Sequence, residues 1–178
     1  MGDLVGQMKY IMKCTLICFF IAALSGFSGC EEKNRTHSTI SPRGEADKKI
    51  EELLGYLSNN DAVGIKSMFC EAINSVSFLD KQIKEALDFF EGKMISYVDI
   101  GPNVGKKTER GKITKLNIFV STTEISTTAD RIYEIRFSSY LINDEYPDRI
   151  GISEITIVDE NEKECVIGDF YLVNPEKR

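Results

Sequence analysis

The sequence predicts an α+β domain in which N-terminal helices pack on the concave face of a curved, four- to five-stranded antiparallel sheet. Apolar residues recur with a helical period up to about residue 91 and with a period of two from Met94 onward. Helices grouped ahead of hairpin-linked strands build a layered α+β fold and not a doubly wound parallel sheet. The strand parity also changes between Ile152 and Ile155. One extra residue near Ser153-Glu154 explains that change as a β-bulge, the usual device for curving an antiparallel sheet.

The domain is expected over residues 46–178. Ile50, Leu53, Leu54 and Leu57 draw the apolar face of a helix over 46–58. Asn59-Asn60-Asp61 ends it and caps the next helix, whose face carries Ala62, Ile65, Phe69, Ala72 and Ile73. A third helix runs from about Asp80 to Glu91, with Leu79, Ile83, Leu87 and Phe90 in register. Asp80 is its expected N-cap, and Gly92 its left-handed C-terminal residue. These stripes read as packing surfaces.

Strands follow. Met94, Ser96, Val98 and Ile100 alternate with Ile95, Tyr97 and Asp99. Residues 101–112 read as a long loop ending in a basic turn, Lys106–Lys112. Its cations could meet a wall polymer or lipid heads, but the favoured reading is a solvated turn. Leu116, Ile118, Val120 and Thr122 mark a second strand, and Tyr133, Ile135, Phe137 and Leu141 a third. Ile150, Ile152, Ile155 and Ile157 mark a fourth, and Val166–Val173 a short fifth strand or edge segment.

The front of the chain has another character. Lys9 and Lys13 precede an apolar run, Cys14–Leu24, of about eleven residues, the length of a secretory h-region and well short of the ~20 that span a bilayer. The run closes on Phe27-Ser28-Gly29-Cys30, which resembles the lipobox of bacterial lipoproteins, with Phe27 in place of the usual Leu. That resemblance implies cleavage between Gly29 and Cys30 and lipid on the Cys30 thiol, so residues 1–29 form a signal peptide. Met8 starts a more conventional signal than Met1. Residues 30–45 are then a lipidated cysteine and a polar tether without apolar period, which cannot repay the entropy of ordering. The expected location is the extracytoplasmic face of the cell membrane, and the membrane is a partner through that lipid.

Composition excludes several functions. Net charge is −6, and removing residues 1–29 leaves 20 basic and 27 acidic residues, or −7. Phosphate backbones and anionic lipid heads repel such a domain, so nucleic acid is not an expected partner and long-range attraction to polyanionic wall polymers is disfavoured. His37 is the only histidine and lies in the tether, so the domain holds no Ser-His-Asp triad and no histidine metal site. No glycine-rich phosphate loop or calcium loop is present. No metal and no cofactor are expected. Cys70 and Cys165 could pair in a compartment that permits disulfides, but the favoured reading is two independent small residues, one in a helix and one near the C-terminus.

The stretches Glu51–Phe69, Leu79–Ile83, Phe89–Lys93 with Ser96-Tyr97, and Ile167–Tyr171 resemble an uncharacterised family of Firmicutes surface lipoproteins. The resemblance implies a cystatin-like or nuclear-transport-factor-like shape and carries over no catalytic residue. Cone-shaped folds of that kind often hold a ligand between helices and sheet. The candidate pocket residues are Tyr97, Asp99, Tyr133 and Glu154; Glu134 and Arg136 should instead pair on the solvent face, because Ile135 and Phe137 point inward. The leading expectation is a non-enzymatic module that binds an envelope protein, a peptide or a small ligand. A small cavity enzyme or ligand carrier is the second reading, and an assembly factor forming a homodimer through the open sheet face the third.

Overall fold

Ser41 opens the first helix: its hydroxyl accepts from the Gly44 N–H at 3.2 Å, and Pro42 sits in the first turn, where a backbone donor is not needed. A computed structural model describes residues 40–175. The expected signal peptide, with Gly29 and Cys30, and most of the tether lie outside the described residues. Helix α1 (Pro42–Ser58) is followed by α2 (Ala62–Ser67), α3 (Glu71–Asn74) and α4 (Leu79–Phe89). The strands are β1 (Met94–Asp99), β2 (Asn103–Glu109), β3 (Lys112–Thr127), β4 (Ile132–Asn143), β5 (Gly151–Asp159) and β6 (Glu164–Gly168). A 3₁₀ turn, Pro147–Arg149, precedes β5, and helix α5 (Phe170–Val173) ends the described chain. The architecture is α+β, with a six-stranded antiparallel open sheet.

The core lies between the first four helices and one face of the sheet. Ile50, Leu53 and Leu54 from α1, Ile65 from α2, and Leu79 and Ile83 from α4 meet Ile118, Ile135, Ile155 and Ile157 there, all at most 2% exposed. Each such side chain contributes ~1.5–3 kcal/mol by leaving water. The stripes read from the sequence are therefore the packing faces, apart from Ala62, which is exposed. Asp61 caps α2 as expected, accepting from Gly64 N–H at 2.8 Å. Asp80, the expected cap of α4, lies instead inside its first turn and pairs with Lys66 at 2.6 Å.

The helix expected over 62–73 is interrupted. Cys70 N–H donates to Ile152 O at 2.9 Å and Ile152 N–H to Met68 O at 3.0 Å, so Met68–Cys70 leaves the helix to bridge the start of β5. Cys70 is thus an extended residue ahead of α3 and not a helical one. It and Cys165 are both free thiols.

The sheet order is β1-β3-β4-β5-β6, and β2 also pairs with β3. Strand β3 is 16 residues long; its Thr122–Thr127 half takes β1 and its Lys112–Phe119 half takes β2. With β4 on the other edge of β3, the two short strands form one interrupted edge, broken at Ile100-Gly101-Pro102. The expected loop over 101–112 is therefore a strand and a tight turn. Strand β2 has Val104 as its one large apolar residue and is mostly exposed, so no alternation marks it.

The expected bulge is present. Ser138 pairs with Glu154 and Ser139 with Ile152, which leaves Ser153 as the extra residue. Its buried hydroxyl lies 2.6 Å from that of Ser138. The expected last strand divides: β6 stops at Gly168, and Asp169 caps α5 by accepting from Tyr171 N–H and Leu172 N–H.

Candidate functional site

Residues paired across an antiparallel sheet share a face. One row runs Phe119, Ser138, Glu154 and Gly168, and the next Ser121, Arg136, Thr156 and Val166. Their chain neighbours Ile118, Val120, Ile135, Phe137, Ile155 and Ile157 fill the core, so both rows look away from the first four helices.

On this face, opposite the core helices, lies a groove with a volume of about 390 Å³. Phe119, Phe170 and Tyr171 form its aromatic wall. The Phe119 and Phe170 rings lie 6.0 Å apart, and Tyr171 meets Phe170 edge-on at 5.6 Å. Helix α5 is fixed there because Glu154 Oε2 accepts from Phe170 N–H at 3.0 Å and Arg149 donates to Val173 O at 2.6 Å. Asn103, Ser121 and Thr156 add polar groups. Arg136 Nε donates to Glu134 Oε1 at 2.8 Å, the pair expected on the solvent face. Ser121 donates to the same oxygen at 3.3 Å. An apolar wall with a few convergent polar groups has the make-up of a small-ligand or peptide site.

The candidate residues from the sequence are not brought together. Tyr97 and Asp99 lie on β1 against α1, on the helix-bearing side. Asp99 is held by the Arg43 guanidinium and accepts from Gly101 N–H at 2.8 Å. Burial, then the carboxylates of Glu51, Asp99 and Asp47, push the Tyr97 hydroxyl above its ordinary range. Tyr133 is 1% exposed; its hydroxyl donates to Phe89 O and accepts from Glu91 N–H, both at 3.0 Å. Burial pushes its pKa up as well. Glu154 alone lines the groove.

Sequence reasoning missed Phe119, Phe170 and Tyr171. Phe119 had a signal: it is an aromatic at a polar-parity position of a strand whose other parity is apolar. Phe170 and Tyr171 had none, since they read as strand residues.

A larger cleft of about 540 Å³ lies at the opposite end of the strands, among Glu124, Glu134, Asp159, Glu160, Glu162 and Glu164. No group of three or more potential metal ligands forms among the described residues. No helix among them is long and apolar enough to cross a membrane.

Fold and groove define an α+β domain with a solid helix–sheet core and an open ligand-sized depression on its free sheet face. The chain belongs to the family described as domain of unknown function DUF5104, whose model matches residues 52–160. The match includes Phe119, Arg136 and Glu154 and stops short of Phe170 and Tyr171. No curated protein matches the sequence.

Proposed function

We propose that this chain is a membrane-anchored extracytoplasmic lipoprotein whose domain is a non-enzymatic binding module, with its partner seated in the groove on the sheet face opposite the core helices. One observation carries the reading: the exposed aromatic wall of Phe119 and Tyr171, 42% and 47% exposed, faces Arg136 and Glu154 across a depression of ligand size. Apolar rings in water mark binding surfaces when polar groups converge beside them. The lipobox-like Phe27-Ser28-Gly29-Cys30 supports the anchor.

The cavity-enzyme reading needs a carboxylate and a tyrosine facing an enclosed space between helices and sheet. Asp99 and Tyr97 stand on that side, but Arg43 neutralises Asp99, and the space is filled by isoleucine and leucine. Glu134 and Glu154 are on the other face.

Photo-crosslinking in cells tests the proposal. A benzophenone amino acid at position 171 should trap a discrete adduct, and the same probe at exposed Val63 on α2 should not. Phe119→Ala should abolish the adduct with little change in Tm. Equal labelling from both positions would remove the groove from the account. A homodimer through this face is the second reading, favoured by exposed Val98, Phe119 and Val166 on it. It predicts an adduct of twice the chain mass.

A further inference from the structure

We infer that the β2–β3 hairpin is the membrane-facing foot of the domain and sets down on anionic lipid headgroups; this rests on the lipid-anchored reading above. The hairpin carries Lys106, Lys107, Arg110, Lys112 and Lys115 against one acid, Glu109. Lys107 and Lys115 stand directly opposite each other across the two strands. Like charges in that relation destabilise a hairpin, and an anion laid over both relieves the repulsion. Lys107 pairs with Glu109 at 2.8 Å and Lys112 with Asp144 at 2.7 Å. Lys106, Arg110 and Lys115 have no ion pair among the described residues, and Lys115 rests over the Tyr140 ring at 4.9 Å.

Ile40, the first described residue, lies at this same end. Ile40 lines a small hollow with Tyr140, Leu141 and Gly151. Tyr140 pairs with Asn117, and Asn117 with Gly105, so Ile40 lies level with the base of the hairpin. From Gly105 to Arg110 the hairpin runs ~17 Å further at ~3.3 Å per residue. Ten peptide units separate Cys30 from Ile40 and reach at most ~35 Å. The lipid can therefore enter a bilayer on which the hairpin tip rests.

The net negative charge does not oppose this at contact range, because an acidic cluster lies at the other end. Glu124, Asp159, Glu160, Glu162 and Glu164 cluster where β3 bulges at Glu124 and β5 meets β6. Lys112 and Glu124 are twelve residues apart along β3, at most ~40 Å. Screening at physiological salt falls off over ~8 Å, so the membrane feels the near pole alone. At that pole Asp144, Glu145 and Asp148 offset part of the charge, and the hairpin with Arg149 keeps a positive surplus. Each cation at an anionic leaflet raises occupancy by about fivefold.

The test uses the full lipidated chain in nanodiscs, either all zwitterionic or with one third phosphatidylglycerol. In a Cys165→Ser background, a fluorophore is placed by Thr108→Cys or Asn161→Cys and quenched by headgroup-labelled lipid. Strong quenching at 108 and little at 161 is expected in anionic discs. It should fall at least fivefold in zwitterionic discs, in high salt, or with Lys106→Glu/Arg110→Glu. Equal quenching at the two sites, or insensitivity to the charge reversal, overturns the inference while the anchor stands. Protection of the hairpin by soluble polyphosphate without any lipid quenching also overturns it, in favour of a wall polymer. An intact mass lacking diacylglycerol on Cys30 overturns the anchored reading and the inference with it.

Discussion

The Tyr133 hydroxyl closes the end of helix α4 by donating to the Phe89 carbonyl at 3.0 Å, 44 residues away in sequence. It also accepts from Glu91 N–H at 3.0 Å, and the tyrosine ring stacks on Phe90 at 4.7 Å. A helix end leaves carbonyls without partners, and here a strand side chain supplies one. Tyr133→Phe should therefore keep the fold and lose about 1–3 kcal/mol, since a buried carbonyl and a buried amide lose their partner. Thermal unfolding followed by circular dichroism measures it. An unchanged Tm would assign those groups to water.

Alkaline pH should act through the same residue. Burial raises the Tyr133 pKa, so the native state keeps a proton that the unfolded chain releases. The unfolded state then binds fewer protons, and stability falls as pH rises. The loss begins near the ordinary tyrosine value, about 10, and continues to the raised native value. Tyr97 shifts in the same direction. Urea midpoints between pH 8 and 11 should decline for the wild type and decline less steeply for Tyr133→Phe.

Gly151 allows the Met68–Cys70 segment to bridge β5. Its φ is +125°, and a Cβ there would stand 2.9 Å from the Cys70 amide nitrogen. Gly151→Ala should cost about 1–3 kcal/mol from backbone strain, with added loss if the bridge opens. Hydrogen exchange should show the Cys70 and Ile152 amides losing protection first. Retained protection would mean that the neighbouring backbone absorbs the methyl group.

The two thiols of the domain should differ in reactivity. Cys70 is 1% exposed, Cys165 is partly exposed, and burial raises both pKa values, so neither is a ready thiolate. Maleimide at neutral pH should label Cys165 slowly and Cys70 only at the rate of unfolding. Labelling of Cys70 as fast in buffer as in urea would show that the bridge to Ile152 opens freely.

Cys30→Ser tests the anchor independently of the domain. The variant should lose metabolic labelling with an alkyne palmitate and stay in the precursor form on gels. Label that persists on the serine variant would refute lipidation at this position.

Much of the fold was legible because burial on one side writes itself into periodicity. The α1 stripe, the Asp61 cap, the Leu116–Thr122 alternation and the bulge at Ser153 all follow from residues that must face the same core. Strand β2 was not legible. Neither of its faces is buried enough to impose a pattern, and its pairing with β3 is made by the backbone, which every sequence carries. The break at Met68–Cys70 was hidden for the same reason: Ala62, Ile65, Phe69 and Ile73 fit a helix, and only the chain returning at Ile152 draws the backbone away.

The groove divides along the same line. Sequence alone determined the α+β class, the absence of histidine from residues 46–178, and the outward pairing of Glu134 with Arg136. Tertiary structure decided that Tyr97 and Asp99 face α1, that Tyr133 serves a helix end, and that Glu154 holds α5 over Phe119. Those assignments depend on which distant segment lies against each side chain. Local periodicity reports whether a residue is inside or outside, and carries no information about its neighbour there.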